Sequence, residues 1–307
     1  MTKLSKLNIN EIERNGQWND IDPEITGIET NSTRVEKGNI FLAKAGATKN
    51  SHGVLFSNQA IERGASLVIT DPEGFKFALD KDLKPTIPFL LVRNLESTFD
   101  YLCQRFYPDK PKFVMGVTGT NGKTSVVNFS QQLIEKKNNS CVTIGTLGVG
   151  GVLSLRTDNT TPDQSFIARI LQMAKLKGSD YALLEVSSHS IVQKLIKNLA
   201  FNVFCFTNLS QDHLDYHKDM ETYFNAKLSI LDMLRLDTNI IVNIDDQYGK
   251  IFFAKAKDKG FKTETIGFSD TADVKLRVTH GTPDIQVIEI IRGCLLYTSD
   301  AADDLYR

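Results

Sequence analysis

The sequence predicts an α/β protein built on a mostly parallel sheet, because short apolar, β-branched runs alternate with helical patterns along almost the whole chain. Its 307 residues suffice for about two domains at roughly 100–200 residues each. The 36 Lys and Arg residues nearly balance the 37 Asp and Glu residues, so the formal net charge is −1. Without a large positive charge the chain has no general attraction for nucleic acid or an anionic membrane, and we expect neither as a partner.

The first third of the chain predicts three strands and an intervening helix. The strand segments are NIFLAKAG, SLVIT and PFLLV, and the helical segment SNQAIERGA ends at Gly64. The segment YPDKPK then interrupts the pattern, because its two prolines and low apolar content disfavour both helix and strand. The sequence therefore predicts an amino-terminal α/β domain over residues 1–110.

A second domain is predicted over residues 111–292. It opens with the strand KFVMGVT and a helix from about Thr124 to Lys137. The segment TTPDQ begins another helix, with Thr161 as the N-cap and Pro162 in the first helical position, and Gly178 ends it. Further predicted strands are CVTIGTLGV, YALLEVS, FNVFCFT, NIIVNI, TETIGF and two within VKLRVTHGTPDIQVIEI. We expect a mostly parallel sheet with helices on both faces.

Residues 293–307 change abruptly to small and acidic side chains, and we expect them to be a non-native tail outside the fold. No segment approaches the roughly 18 apolar residues that a membrane span requires, and the lysine-bearing start has no apolar stretch behind it. The four cysteines show no metal-binding spacing. These features predict a soluble, cytoplasmic protein.

The strongest functional pattern is the segment GVTGTNGKT, which lies between a predicted strand and a predicted helix. Glycines such as Gly119 and Gly122 let backbone N–H groups approach phosphate oxygens, and the helix N-terminus adds partial positive charge. Lys123 would neutralise the β- and γ-phosphates, and Thr124 would hold Mg²⁺. The spacing departs from the general GxxxxGK[ST] pattern, because Val117 lies where that pattern has its first glycine. An ordinary glycine-rich turn is the alternative.

Acidic and histidine side chains follow two successive predicted strands. Glu185 ends one strand, and the segment after the next strand carries Asp212, His213, Asp215 and His217. Because ligands bind at the carboxyl ends of parallel strands, Glu185 and the cluster of Asp212, His213 and Asp215 are placed to ligate a metal ion. A solvated loop carboxylate and structural histidines are the alternatives.

Lys227 is predicted to point inward from a helix. It lies four residues after Tyr223 and four and seven residues before Leu231 and Leu234, so it shares their apolar stripe. A lysine in this position either extends along the edge of the core to solvent or is a desolvated amine whose neutral form is favoured. In the second case it can react with CO₂ to form a carbamate, which would be an additional metal-ligating anion.

Five segments follow one another over about residues 110–247: GVTGTNGKT, NTTPD, LEVSSHS, FTNLSQDHLDYHKDMETYFNAK and VNIDD. In this order they resemble the ATP-dependent Mur ligases of peptidoglycan synthesis. Among these they are most similar to the UDP-N-acetylmuramoyl-tripeptide synthetases, which add the third residue to the stem peptide. The amino-terminal third resembles the family less closely, through the segments NSTRVEKGNIFLAKAG and SHGVLF.

The resemblance implies roles for individual residues. ATP phosphates would bind to the loop formed by Gly119, Thr120, Asn121, Gly122, Lys123 and Thr124. Mg²⁺ would be held by Thr124 and Glu185, with His213 and a carbamylated Lys227 helping at a second Mg²⁺. The UDP-muramoyl-dipeptide would be contacted by Thr33, Asn159, Thr160, Thr161, Ser187 and Gln193. The catalytic set would comprise Lys123, Glu185, His213 and Lys227.

The resemblance also implies a reaction. Such ligases transfer the γ-phosphate of ATP to the terminal carboxylate of the UDP-N-acetylmuramoyl-dipeptide, and the amine of an amino acid then attacks the acyl phosphate. The resemblance implies that residues 1–110 form the UDP-muramoyl-substrate-binding domain and that residues 111–292 form the P-loop-type, ATP-binding central domain. It stops near Arg292, inside the β-rich end of this central domain, which is therefore expected to be incomplete. The domain that selects the amino acid would follow, so we expect a truncated chain that is inactive alone and leave the amino acid open. The alternatives are a non-catalytic nucleotide-binding module on the same scaffold and a ligase like folylpolyglutamate synthase.

Overall fold

The computed structural model describes residues 2–9, 12–14, 20–46, 51–83, 86–157, 159–197, 199–212, 214–281, 286–293 and 295–300. The chain divides into two compact units, Met1–Lys110 with Asp163–Met173 and Pro111–Pro162 with Ala174–Arg307. Each unit carries helices on a mostly parallel sheet, so the predicted α/β class is confirmed. In the described part of the chain, no helix combines the length and the apolar character that crossing a membrane requires.

The first unit is built on a five-stranded sheet. Its elements are β1 (Thr2–Lys3), β2 (Ile12–Arg14), β3 (Glu24–Ile25), β4 (Gly27–Glu29), β5 (Asn39–Ala43), α1 (Ser57–Glu62), β6 (Leu67–Thr70), α2 (Pro72–Asp80), β7 (Phe89–Val92) and α3 (Leu95–Phe106). The strand order is β2-β7-β6-β5-β4, and all neighbours are parallel except β2 and β7. Strands β1 and β3 pair separately as an antiparallel ribbon.

The central strands of this sheet are buried on both faces, which is typical of parallel sheets covered by helices. Successive side chains of β5 point to opposite faces. Ile40 and Leu42 pack with Phe99 of α3, whereas Phe41 packs in a second cluster with Ala60 of α1. The apolar run that predicts β5 therefore supplies two separate parts of the core.

The second unit is built on a ten-stranded sheet. Its strands are β8 (Phe113–Thr118), β9 (Cys141–Gly145), β10 (Gly148–Gly151), β11 (Tyr181–Glu185), β12 (Val203–Phe206), β13 (Asn239–Asn243), β14 (Lys262–Gly267), β15 (Val274–Gly281), β16 (Gln286–Arg292) and β17 (Leu295–Asp300). The helices of this unit are α4 (Lys123–Lys136), α6 (Ser188–Val192), α7 (Leu214–His217), α8 (Met220–Leu228) and α9 (Gln247–Asp258). Helix α5 (Gln164–Leu176) lies mostly in the first unit, and only its last residues belong to the second. The strand order is β10-β9-β11-β8-β12-β13-β14-β15-β16-β17.

From β9 through β15 in this spatial order, each strand is parallel to its neighbour. Strand β10 at one edge and strands β16 and β17 at the other pair antiparallel. Strand β8 lies between β11 and β12, and the register pairs Val117 with Glu185 and Thr118 with Phe206. The carboxyl ends of these three strands therefore meet at one edge of the sheet. The glycine-rich segment leaves β8 at this edge.

Helices cover both faces of the second sheet, as predicted. Val127 of α4 packs in one cluster with Leu183 and Cys205. The ring of Phe206, the residue after Cys205, stacks on Phe252 of α9 with the ring centroids 4.5 Å apart. Adjacent residues of β12 thus contact helices on opposite faces.

The segment CVTIGTLGV is a β-hairpin, so the prediction of one continuous strand is wrong. β9 and β10 pair antiparallel, with Gly145 opposite Gly148. Gly148 has a φ of +94°, which L side chains rarely adopt, and this conformation reverses the chain after Thr146 and Leu147. The reversal places Thr146 in a turn at the edge of the sheet where β9 and β11 end.

Helix α5 begins later than the sequence predicts, and its N-cap is Asp163 rather than Thr161. The Phe166 N–H donates to Asp163 Oδ1 at 3.1 Å, and the helix starts at Gln164. Both residue types are good N-caps, so the local pattern does not separate them. The Thr161 hydroxyl instead donates to the Glu185 carbonyl oxygen at 2.9 Å.

Leu295–Asp300 form β17 and pair antiparallel with β16, although the composition of residues 293–307 predicts a tail outside the fold. Leucine, tyrosine and threonine in this segment are compatible with extended backbone, and β16 offers unpaired backbone groups along its edge. Residues 301–307 lie outside the described residues.

Candidate nucleotide-binding site

The glycine-rich loop between β8 and α4 has a backbone that requires glycine. Gly119 has a φ of +147°, and a Cβ atom there would lie 1.9 Å from Thr207 Oγ1. Two contacts to Asn208 hold the loop, because Thr120 N–H donates to its carbonyl oxygen at 2.9 Å and Asn121 N–H donates to its Oδ1 at 3.0 Å. The loop is thus tied to the segment after β12 and leads directly into the N-terminus of α4, where backbone N–H groups and the helix dipole favour an anion.

Lys123, the first residue of α4, extends its amine over this loop. Its Nζ atom donates to the carbonyl oxygens of Gly119 at 2.9 Å and Thr120 at 2.8 Å. Burial lowers the pKa of Lys123, and the nearby carboxylates of Glu185 and Asp212 oppose that effect. Because Lys123 is the first residue of α4, its amine lies near the positive end of the helix dipole.

Thr124 and Glu185 form a hydrogen-bonded pair beside the loop. Thr124 Oγ1 donates to Glu185 Oε2 at 2.8 Å, and the Glu185 side chain is buried. Thr146 supports the same carboxylate, because its N–H donates to Oε1 at 3.0 Å and its hydroxyl donates to Oε2 at 3.1 Å. A buried carboxylate is stable only with such partners, so its oxygens are held in a defined orientation.

This arrangement fits Mg²⁺, which prefers hydroxyl, carboxylate and phosphate oxygens. Thr124 offers a hydroxyl and Glu185 a carboxylate within hydrogen-bond distance of each other. Among the described residues no three His, Cys, Asp or Glu side chains form a cluster that would bind a metal alone. Mg²⁺ commonly combines one or two carboxylates with substrate phosphates and water, so a pair beside a phosphate loop suits it.

Lys227 of α8 also contacts the loop, from the interior. Its side chain is 1% exposed, and Nζ donates to the Gly119 carbonyl oxygen at 3.0 Å. Nζ also lies 4.7 Å from the ring centroid of Tyr223. Desolvation and the neighbouring Lys123 lower the pKa of Lys227 to about 7. The predicted inward orientation is confirmed, and the neutral amine is accessible near neutral pH.

The two histidines in the segment after β12 have different outcomes. His213 lies outside the described residues, as do the side chains of Leu214 and Asp215. His217 is buried and shares a hydrogen bond of 2.8 Å with Ser188 Oγ, so the alternative of a structural histidine holds for it.

Three of the expected substrate-binding residues surround the Glu185 end of β11. Thr161 Oγ1 accepts the Ser187 N–H at 3.2 Å, and Thr160 Oγ1 lies 3.2 Å from Thr146 Oγ1. Two others lie at exposed positions of the same unit, with Asn159 in the segment before α5 and Gln193 at the carboxyl end of α6.

The sixth, Thr33, belongs to the first unit. It is exposed, and its hydroxyl donates to Asn31 Oδ1 at 2.8 Å. Its neighbour Arg34 forms an ion pair with Asp163 at 3.0 Å. The short helix that carries Thr33 is thus held in place inside the first unit by a partner distant in sequence.

Sequence reasoning missed Thr146 and Asn208, which hold the carboxylate and the loop. Both follow strands that end at the ligand-binding edge, β9 and β12. The rule that predicts Glu185, namely that polar residues after parallel strands face ligands, also applies to them. Thr146 was hidden because its segment was predicted to be one continuous strand.

A glycine-rich loop that leads from a strand into a helix, with a lysine and a threonine facing a strand-end carboxylate, is typical of nucleotide-binding domains of the P-loop type. The profile of the Mur ligase middle domain matches residues 117–295. The chain belongs to the Mur ligase family, which confirms the resemblance.

Curated relatives extend over both units. The chain is 33% identical over 259 residues to UDP-N-acetylmuramoyl-L-alanyl-D-glutamate--2,6-diaminopimelate ligase of Parabacteroides distasonis, covering 83% of this chain and 51% of the relative. It is 32% identical over 279 residues to the ligase of the same name of Clostridium tetani, covering 90% of this chain and 54% of the relative. The chain thus spans about half the length of these relatives.

Solved structures share the fold. A structure of a UDP-N-acetylmuramoyl-L-alanyl-D-glutamate--2,6-diaminopimelate ligase superposes with a TM-score of 0.74 at 23% identity, covering 97% of this chain and 59% of that one. The MurF ligase of Thermotoga maritima in complex with ADP superposes with a TM-score of 0.59 at 20% identity, covering 89% of this chain and 57% of that one. At these identities the likeness concerns the fold alone.

Proposed function

We propose that this protein is an ATP-dependent acid–amino-acid ligase that adds the third amino acid to UDP-N-acetylmuramoyl-L-alanyl-D-glutamate. The observation that carries this proposal is the convergence of Lys123, Thr124 and Lys227 on the glycine-rich loop, with Glu185 bonded to Thr124. The names of the curated relatives favour 2,6-diaminopimelate as the added amino acid. ATP as a co-substrate is consistent with a cytoplasmic reaction.

In the first step of the proposed reaction, an oxygen of the substrate's terminal carboxylate attacks the γ-phosphorus of ATP. The bond between this phosphorus and the β,γ-bridging oxygen breaks, and ADP leaves with that electron pair. Two anions must approach each other, so positive charge at the transferred phosphoryl group is the main requirement. Lys123 and the N-terminus of α4 supply this charge at the loop.

In the second step, the amine of the amino acid attacks the carbonyl carbon of the acyl phosphate. The bond from this carbon to the phosphate oxygen breaks, inorganic phosphate leaves, and the amine loses a proton to give the amide. The residues of the loop act in the first step. Besides supplying positive charge, they position ATP close to the substrate carboxylate.

Thr124 and Glu185 would hold Mg²⁺ through oxygen atoms, in keeping with their hydrogen-bonded geometry. When bound, Mg²⁺ neutralises developing charge on the phosphoryl oxygens. We assign His213 and carbamylated Lys227 to a second Mg²⁺ on the family resemblance. The supporting observation is the low pKa of Lys227, because only a neutral amine reacts with CO₂.

Carbamylation of Lys227 is a balanced addition. The lone pair of the neutral Nζ atom forms a bond to the carbon of CO₂, and one carbon–oxygen π pair moves to oxygen. The nitrogen then releases one proton to solvent, which leaves an anionic carbamate. Burial and the charge of Lys123 both favour the neutral amine as reactant. The charge of Lys123 also favours the anionic carbamate, because a nearby cation stabilises an anion.

For the UDP-linked dipeptide we propose the hydroxyl-bearing cluster at the end of β11, formed by Thr160, Thr161 and Ser187. These residues lie within hydrogen-bond distance of one another or of Thr146, and Thr161 is bonded to the Glu185 carbonyl oxygen. The exposed residues Thr33, Asn159 and Gln193 complete the proposed set on the family resemblance.

The nucleotide site is tested by the thermal stability of the chain with ATP and Mg²⁺. Saturation to about 100 times the dissociation constant stabilises a protein by about 2.7 kcal/mol, so we expect a clear increase in the melting temperature. Lys123→Ala should abolish the increase. Lys136→Ala, which removes an exposed lysine from the last turn of the same helix, is the matched control. An unchanged increase in Lys123→Ala would contradict the assignment of the loop.

The substrate is tested by calorimetric titration with UDP-N-acetylmuramoyl-L-alanyl-D-glutamate in the presence of ADP and Mg²⁺. We expect binding by the wild type and weaker binding by Thr161→Val, which keeps the side-chain shape but removes the hydroxyl that donates to Glu185. Binding of ATP without any binding of this substrate would favour the non-catalytic nucleotide-binding module instead.

A further inference from the structure

His217 makes a buried polar contact that the proposed reaction does not use. The imidazole is 3% exposed, and its Nε2 atom shares a hydrogen bond of 2.8 Å with Ser188 Oγ, which is itself 2% exposed. Ser188 begins α6, directly after Ser187 and three residues after Glu185. His217 is therefore hydrogen-bonded to the segment that follows β11, the strand that ends in Glu185.

The same imidazole contacts helix α8. Its ring lies 4.9 Å from the ring of Tyr223, which is 1% exposed. Tyr223 in turn lies under the Lys227 amine, 4.7 Å from Nζ, and its hydroxyl is 3.3 Å from Thr120 Oγ1 in the glycine-rich loop. A short chain of contacts thus runs from Ser188 through His217 and Tyr223 to Lys227.

Helix α8 depends on such contacts for its orientation. It has nine residues, and helices of this length are marginal in isolation, so tertiary packing sets their position. The Lys227 side chain is long and flexible, and its amine meets the Gly119 carbonyl oxygen only if α8 holds its backbone at the right distance. A brace between α6 and α8 therefore bears directly on the location of this amine.

We infer that His217 is a positioning residue, which braces the segment after Glu185 against α8 and thereby holds Lys227 at the glycine-rich loop. This inference rests on the proposed function, in which Lys227 acts as a carbamate. A phenylalanine would fill the same space against Tyr223 but could not bond to Ser188. The imidazole therefore supplies both an aromatic surface and a hydrogen bond at one buried position.

The test measures carbamate on Lys227 directly. The chain is titrated with ¹³C-bicarbonate at about pH 8, where a lysine of pKa about 7 is mostly neutral, and the carbamate carbon is followed by NMR. Lys227→Ala identifies the signal of this lysine. His217→Phe removes the hydrogen bond and keeps the ring, and Ser188→Ala removes the same bond from the other side. ATP binding with Mg²⁺ is measured for every variant.

We expect the bicarbonate concentration for half-maximal carbamate to increase about threefold to tenfold in His217→Phe and in Ser188→Ala, which is the effect of one lost hydrogen bond. The double variant should show no larger shift than either single variant, because both remove one interaction. If His217→Phe does not fold, Ser188→Ala alone tests whether the hydrogen bond affects carbamate formation. If His217 only stabilises the fold, the variants should have a lower melting temperature but an unchanged half-maximal bicarbonate concentration.

Two results would overturn the inference. One is an unchanged half-maximal concentration in folded variants, and the other is a wild-type chain that binds ATP but yields no Lys227 signal. Neither result would contradict the assignment of the nucleotide site. A wild-type chain that forms the carbamate but does not bind ATP would instead count against the proposed function. In that case a higher half-maximal bicarbonate concentration in the His217 variants would still support the positioning role of His217.

Discussion

Lys123 and Lys227 direct their amines at one acceptor, the carbonyl oxygen of Gly119, at 2.9 Å and 3.0 Å. Two ammonium groups at one carbonyl oxygen repel each other, and Lys227 is the more deeply buried of the two. Burial and the charge of Lys123 lower the pKa of Lys227 to about 7. The two lysines therefore differ: Lys123 lies at the N-terminus of α4, whereas the more deeply buried Lys227 is readily neutral.

Lys227→Met should remove a pH dependence from the stability of the protein. Lys227 has a pKa of about 7 in the native state, whereas an unfolded lysine titrates near about 10.4. Between these values the unfolded state binds one more proton, so the contribution of Lys227 to the free energy of unfolding increases with pH, by up to about 1.4 kcal/mol per pH unit. Urea unfolding of wild type and variant over this range measures the difference.

The matched control for that experiment is Lys250→Met, which removes an exposed lysine from α9. The difference between wild type and Lys227→Met should be constant below the native pKa, rise through the window and level off above it. A difference that is flat across the whole range would mean that the buried amine keeps its proton in the native state.

Glu185→Gln should reduce the dependence of ATP binding on Mg²⁺. Glutamine keeps the shape and can still bond to Thr124 and Thr146, but it lacks the negative charge that a divalent cation needs. We expect the dissociation constant for ATP with Mg²⁺ to increase about tenfold or more, since charge-assisted bonds are worth about 1.5–3 kcal/mol. ATP binding measured with EDTA, which removes Mg²⁺, should differ little between the wild type and Glu185→Gln.

Glu135→Gln, at the exposed carboxyl end of α4, is the control for a lost negative charge in the same unit. If Mg²⁺ strengthens ATP binding to Glu185→Gln as much as it does in the wild type, Glu185 does not hold the ion.

Gly119→Ala should disable the loop, whereas Gly178→Ala should not. The new Cβ at Gly119 would lie 1.9 Å from Thr207 Oγ1, so the loop must move. Gly178, at the end of α5, has a φ of +84° and open space around it, so alanine there costs only about 1–2 kcal/mol of backbone strain. Thermal unfolding and ATP binding compare the two, and equal effects on ATP binding would contradict this account.

Phe252→Ala should destabilise the second unit far more than Phe129→Ala. Phe252 is fully buried and stacks on Phe206 at 4.5 Å, and its truncation leaves a cavity that costs about 3–5 kcal/mol. Phe129 is 64% exposed on α4, and its truncation should change the free energy of unfolding by less than about 0.5 kcal/mol. Urea unfolding measures both, and similar losses would show that α9 does not complete the core.

The parts of the site that the sequence predicted are those set by local patterns. Glycines before a lysine at a strand-to-helix transition predict the loop, because backbone conformation and the helix N-terminus are local properties. Glu185 follows from the rule for the ends of parallel strands, and the inward position of Lys227 follows from helical periodicity. In the first unit, the strands β5, β6 and β7 and the helix α1 were predictable for the same reason, whereas α2 and α3 were not predicted.

The tertiary structure alone decided which partners these residues meet. Thr161 looks like an N-cap in sequence, yet its hydroxyl bonds to a carbonyl oxygen on β11, and Asp163 caps α5 instead. Thr146 and His217 acquire their roles from contacts with Glu185 and Ser188, which lie 39 and 29 residues away in the chain. Hydrogen bonds between elements depend on strand order and helix packing, and these are collective properties of the whole fold that no short segment encodes.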